Sequence, residues 1–303
     1  MRTVIHIGGN KTGSTLLQRH LFSKHARIRY LGEDCPDYGS IREAMTSLIA
    51  DDDSHYHHLE VAKVFRRYLC SGSLPSVNVY SNEDIMTSAL PSVCANRLKL
   101  LLPEASVVMV IRNQLTALPS WYAGHGAYLK NVPRRYWRRH VNFNDWLEYC
   151  FTFPKTSAIE AMNYYRFYEI FADLYGEENT HVLLYEDLLD TPKLYFQHWA
   201  DLLEIPLNEI QACVGSRTER VGKSSRRDLA DRLYYLCFQR PAPLQEGSTS
   251  NMLVRWLNNG PKKEIPIPLN WRQKVVEYYR HSNSKLAKRT GYDLAAEGYP
   301  AES

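Results

Sequence analysis

A lysine set among hydroxyls at a glycine turn is a place to hold an anion, and Lys11-Thr12-Gly13-Ser14-Thr15 has that composition. The β-branched run TVIHI at 3–7 leads into Gly8 and Gly9, and Leu16, Leu17, His20 and Leu21 then recur at helical spacing. The first N–H groups of a helix have no intrahelical partner and the macrodipole adds partial positive charge there, so a phosphate or sulfate fits such a turn. Lys11, Thr12, Ser14 and Thr15 would add side-chain contacts. In a nucleotide triphosphatase loop the lysine follows the last glycine, as G-K-[ST]. Here the lysine comes first, and the chain contains no strict match to that pattern.

A second constellation begins at Val107. Five apolar residues, VVMVI, end in Arg112, and Ser120 follows in Arg112-Asn113-x(6)-Ser120-Trp121-Tyr122. Ligands of open α/β sheets gather at the carboxyl ends of strands, and an arginine with a hydroxyl suits a phosphate monoester. Pro119 is tolerated in a helix's first turn but not in its interior, so the helix bearing Ser120 is expected to start late. A third apolar run, VNVYS at 77–81, is followed by the carboxylates Glu83 and Asp84, and a Gly-His-Gly centred on His125 follows the arginine segment. Any of the three could take a proton from a nucleophile.

In this order, K-T-G-S-T and R-N-x(6)-S-W-Y resemble the 5′-phosphosulfate loop and the 3′-phosphate motif of sulfotransferases that use 3′-phosphoadenosine 5′-phosphosulfate (PAPS). VLLYEDL at 182–188, the helix-like stretch at 191–206 and the tail from Trp271 to Pro300 resemble later parts of the same family. RTERVGKSS at 217–225 falls where the family has a basic loop over the nucleotide, without the Arg-Lys-Gly triplet of cytosolic members. The resemblance implies an α/β fold with a central parallel sheet flanked by helices, PAPS as donor, 3′,5′-adenosine bisphosphate (PAP) as product, and no metal. It gives Lys11 the role of the cation at the bridging oxygen, sets Thr12, Gly13, Ser14 and Thr15 around the 5′-phosphosulfate, and Arg112 and Ser120 at the 3′-phosphate. Tyr185 would lie against the adenine, and Lys223 with Ser224 would reach the 3′-phosphate. Glycan sulfotransferases use a glutamate base at the position of Glu83 and small-molecule ones a histidine, so Glu83 leads, with Asp84 and His125 as alternatives. The acceptor is a hydroxyl or amine on a glycan or a small metabolite. Two other readings are an ATP-dependent small-molecule kinase, which would need the missing G-K-[ST] loop, and a nucleotide-binding module without turnover, against which an intact Lys11 and a nearby carboxylate argue.

The elements that must position these groups are parallel strands near 3–7, 77–81, 106–111 and 180–184, joined by helical segments. One domain over 1–303 is expected, with an acceptor-side insertion at 123–160 and a mobile loop at 240–270. With 44% apolar residues the chain can bury a large core, while a net charge of +4 is too small to imply nucleic acid. There is no secretory segment and no apolar run near the roughly 20 residues of a membrane span, which points to a cytoplasmic chain. Six dispersed cysteines read as reduced packing residues, and the acidic, histidine-rich stretch 51–58 as a solvated loop without metal-ligand spacing.

Overall fold

Five short runs pair into one sheet: β1 (Arg2–His6), β2 (Ile28–Gly32), β3 (Val77–Ser81), β4 (Ala105–Ile111) and β5 (Thr180–Leu184). The computed structural model describes residues 2–33, 35, 38–69, 77–127, 134–136, 139–215, 224–238, 252–261 and 263–302, the side chains of Tyr38, Ser40, His125, Leu253 and Arg255 excepted. The strand order is β2-β3-β1-β4-β5 and every pairing is parallel. Four strands fall where the apolar runs put them. The fifth, β2, was not expected: IRYLG carries Arg29 at its second position and offers no continuous apolar run, and at the sheet edge it needs only half its surface buried.

Alternation along the strands divides the core. Ile5, Val107, Met109 and Ile111 face one layer, which includes Phe65, Leu98, Phe167 and Tyr279. Val4, Val79, Val108 and Val110 face the other, with Leu17, Phe22, Tyr195 and Trp199. All seven residues of β4 are buried, as a central strand covered on both faces requires.

Because the chain leaves β1 toward β2 and leaves β4 toward β5, the crossovers diverge between β1 and β4. That crevice is where an α/β sheet of this kind binds ligands. The ladder here extends past the strands proper: Ile7 N–H donates to Val108 O (2.9 Å), Gly9 N–H to Val110 O (3.0 Å) and Asn82 N–H to His6 O (3.1 Å). The loops after β1, β3 and β4 therefore leave the sheet at one level.

The helix after β4 corrects one expectation. It starts at Gln114, not late, and runs to Trp121 with Pro119 inside it. Asn113 caps it by accepting from Leu115 N–H (3.0 Å), so the start is fixed by the cap and the proline is accommodated within. A wider turn, Tyr122–Gly126, follows directly, as helices loosen where a hydrogen bond has been removed. The described residues of the 123–160 stretch otherwise form short helices, the longest being Phe143–Thr152, and 128–133 and 137–138 lie outside the described residues. Of the expected 240–270 loop, 240–251 and 262 lie outside the described residues, and the rest contains helix Met252–Asn258. Among the described residues no helix is long and apolar enough to cross a membrane.

The long helix Leu269–Thr290 is tied to helix Gln114–Trp121 by a buried amide pair. Gln114 Nε2 donates to Asn283 Oδ1 (3.0 Å) and Asn283 Nδ2 to Gln114 Oε1 (3.1 Å), and their remaining N–H groups reach Met162 O and Pro300 O. A satisfied buried network is costly to break on one side only. Asn283→Leu is expected to lower the unfolding free energy by about 1–3 kcal/mol, and adding Gln114→Leu should recover part of it, as chemical denaturation of the three variants will measure.

Candidate active site

After β1 the backbone turns on two left-handed residues, Lys11 (φ 70°) and Gly13 (φ 83°). For a lysine that conformation costs about 1–2 kcal/mol, so the surroundings must hold it. Left-handed residues next to a helix start aim consecutive N–H groups into one concavity. The N–H groups of Gly13, Ser14 and Thr15 donate to no protein acceptor among the described residues.

The side chains of this loop divide into two sets. Thr12 and Ser14 are buried: Thr12 Oγ1 donates to Gly9 O (2.5 Å) and lies 3.3 Å from Ser14 Oγ. Their hydroxyls serve the loop's own interior. Lys11 and Thr15 are half-buried and remain at its surface.

Beneath the loop lies a residue to which the sequence reading gave no role. His6, the last residue of β1, is fully buried. Its Nδ1 is 2.8 Å from Ser81 Oγ, which also accepts from Gln18 Nε2 (3.0 Å), so β1, β3 and the helix after the loop meet at one hydroxyl. Its Nε2 has no hydrogen-bond partner among the described residues. A Cβ on Gly8 would stand 2.5 Å from that Nε2 and 2.6 Å from Ser14 Oγ, so only glycine fits there.

Arg112 leaves β4 directly opposite. One NH1 hydrogen goes to Lys11 O (2.9 Å) and its Nε–H to Thr116 Oγ1 (3.0 Å), and the guanidinium lies over the Tyr185 ring, 4.5 Å from the centroid. Three of the five N–H donors of an arginine are then left without an acceptor among the described residues. Thr116 and Ser120 are one helical turn apart on one face, so half-buried Ser120 continues the line that Thr116 begins. The backbone of Arg112 is gripped by buried Tyr164, whose hydroxyl donates to Arg112 O (2.7 Å) and accepts from its N–H (3.4 Å). Next to it, Asn113 N–H donates to Glu186 (3.0 Å), whose other oxygen accepts from Tyr299 (2.7 Å).

The remaining expected residues are distributed as follows. Glu83, half-buried, and Asp84, exposed, open the turn Glu83–Thr87, and Asn82 caps it by accepting from Asp84 N–H (2.9 Å). Tyr185, expected at the adenine, packs against Gly13 as well as Arg112 and so touches both the loop after β1 and the end of β4. Ser224, expected at the 3′-phosphate, is buried, donates to Leu257 O and accepts from Arg227 N–H (3.1 Å), so in this structure it caps helix Ser225–Phe238. Lys223 and the His125 side chain lie outside the described residues. Thr116, Tyr164 and Glu186 were missed as supports. Glu186 had a signal in its YEDL context; Tyr164 had none.

A parallel α/β sheet with a lysine-bearing glycine turn and a strand-end arginine at its switch point is a P-loop-like fold. The chain belongs to the sulfotransferase family, whose family model matches residues 4–209. A sulfotransferase from Alicyclobacillus acidocaldarius shares the fold at 14% identity, with a TM-score of 0.57 and 98% of each chain covered. Mouse sulfotransferase SULT7A1, solved in complex with PAP, is similar at 12% identity and a TM-score of 0.42, covering 95% of this chain and 87% of its own. The sulfotransferase domain of the Synechococcus PCC 7002 olefin synthase gives 13% and 0.44, covering 91% and 94%. No curated protein matches the chain.

Burial lowers the His6 imidazole from 6.5 to about 3, so it is neutral in the folded protein near neutral pH. Unfolded, it binds a proton below about 6.5. Stability present above that pH is therefore lost progressively as pH falls toward 3, on the order of a few kcal/mol. His6→Asn, which can still meet Ser81, should flatten the fall of unfolding free energy between pH 6.5 and 4. An unchanged slope would contradict a neutral buried His6.

Proposed function

We propose that this chain transfers the sulfuryl group of PAPS to a hydroxyl or amine acceptor, a glycan or a small metabolite. The observation that carries the reading is Arg112: fixed to the Lys11 carbonyl, it keeps three N–H donors beside a loop that presents N–H groups of its own. This fits a nucleotide with phosphate-type charge at both the 5′ and the 3′ position. The loop N–H groups with Thr15 would take the 5′-phosphosulfate, and Arg112 with Ser120 the 3′-phosphate. Family membership supports the donor.

In this mechanism Glu83 accepts the acceptor's proton as its oxygen or nitrogen bonds to sulfur. The bond from sulfur to the bridging oxygen breaks, and Lys11 neutralises the charge left on the 5′-phosphate of PAP. Sulfuryl transfer, like phosphoryl transfer, is chiefly positioning and charge stabilisation, so a Lys11 backbone held at φ 70° by Arg112 is useful: it fixes the point from which the side chain reaches. Asp84 and His125 are the other candidates for the base.

Calorimetry without Mg²⁺ is expected to show PAP binding much more tightly than adenosine 5′-phosphate. Arg112→Met should erase most of that difference, about 1.5–3 kcal/mol for charged hydrogen bonds. Equal affinities in the native protein would remove the 3′-phosphate from the reading.

Incubation with labelled PAPS against glycans, lipids and phenols tests donor and acceptor together. With the acceptor in hand, Lys11→Ala should reduce kcat on the order of a hundredfold or more with little effect on PAP affinity. Glu83→Gln should reduce it by roughly a hundred to ten thousandfold. If Glu83→Gln is near native and His125→Asn is inactive, the base is the histidine.

A further inference from the structure

Gly124 stands in the turn Tyr122–Gly126 with its bare Cα against the tip of Lys11: a Cβ built there would be 2.6 Å from Nζ and 2.8 Å from Cε. Lys11 is the neighbour that meets it; no other atom of the described residues lies within 4 Å beyond the turn itself.

The turn cannot easily retreat. At one end Tyr122 is buried, donates to Val141 O (2.7 Å) and packs on Phe143 and Trp146. At the other, Gly126 is pressed so closely on Trp146 that a Cβ would be 2.5 Å from the indole Nε1. Ala127 N–H donates back to Tyr122 O (3.1 Å) and closes the wide turn between these anchors. The lysine's backbone is equally fixed, by its left-handed φ and by the bond from Arg112 to its carbonyl. Of the two surfaces in contact, only the flexible end of the Lys11 side chain is able to yield.

We propose that Gly124 is a positioning residue for the transfer: by lacking a side chain it leaves the volume in which the Lys11 ammonium sits, and so sets where that charge stands. This rests on the reading of Lys11 as the cation at the bridging oxygen. A methyl group at 124 pushes the ammonium aside at small cost to the fold, because a lysine tip finds other rotamers. It takes the charge away from the position at which it acts, and displacements on the order of 1 Å cost about a hundredfold in rate.

The test is a double-mutant cycle in the full chain. Gly124→Ala should lower kcat at least tenfold with the acceptor found in the screen, while PAP affinity and the thermal midpoint stay near native. In a Lys11→Ala background the same substitution should cost nothing further. A readout that needs no acceptor is the ¹³Cε resonance of Lys11 in isotope-labelled protein bound to PAP, which should shift in Gly124→Ala. If Gly124→Ala lowers the thermal midpoint instead, Lys11→Ala should restore it, because the clash is with that side chain. Native turnover in Gly124→Ala, an unmoved Lys11 resonance, the same loss in both backgrounds, or a lowered midpoint that Lys11→Ala does not restore each overturns the inference. Failure of the underlying reading looks different: Lys11→Ala alone would then turn over normally.

Discussion

The hydrogen bond from Arg112 to the carbonyl of Lys11 joins two segments 101 positions apart in sequence, and the geometry of the site follows from it. A lysine held at φ 70° relaxes unless something outside the loop holds it there. The guanidinium does so, and in doing so fixes its own orientation, since Thr116 holds Nε and the Tyr185 ring supports its face. The donors left over are thereby aimed before any ligand arrives. Pre-organisation of this kind reduces the ordering cost of binding and of the charged transition state.

Behind that bond stands a layer of buried and half-buried groups. His6, Ser81 and Gln18 fix the floor of the loop, and Tyr164 and Glu186 fix the backbone at Arg112. The C-terminal segment takes part through Tyr299 and the Asn283 pair. The charge-bearing residues therefore sit on a frame contributed by β1, β3, the helices that carry Gln18, Tyr164 and Glu186, and the last helix. Burial keeps His6 neutral and in place, and the same burial makes the frame sensitive to acid.

Much of the fold was legible because its strands are buried on both faces and so appear as continuous apolar runs, VVMVI above all. β2 escaped because an edge strand with Arg29 inside it has no such run. The late helix start inferred from Pro119 failed because a cap at Asn113 outweighed a proline that the wider turn beyond it accommodates. At the site, residue type and spacing singled out Lys11, Arg112 and Ser120, and the fold sets them on the segments that follow β1 and β4. Ser224 shows why such a reading stays open in sequence: a serine ahead of a helix reads equally as a ligand contact or a cap, and its burial and its bond to Leu257 O are set by tertiary packing.

The sequence by itself determined which groups are available and their order: a lysine before a glycine, hydroxyls at a helix start, an arginine closing an apolar strand. These are local facts, written in neighbouring residues and in periods of two and 3.6. Tertiary structure decided which way each group faces. It turned Thr12 and Ser14 inward, placed Tyr185 behind Arg112, buried the His6 imidazole beneath the loop, and brought Gly124 against the Lys11 ammonium. Each of those outcomes is a contact between segments distant in the chain, set by parallel register and close packing, and no local pattern specifies it.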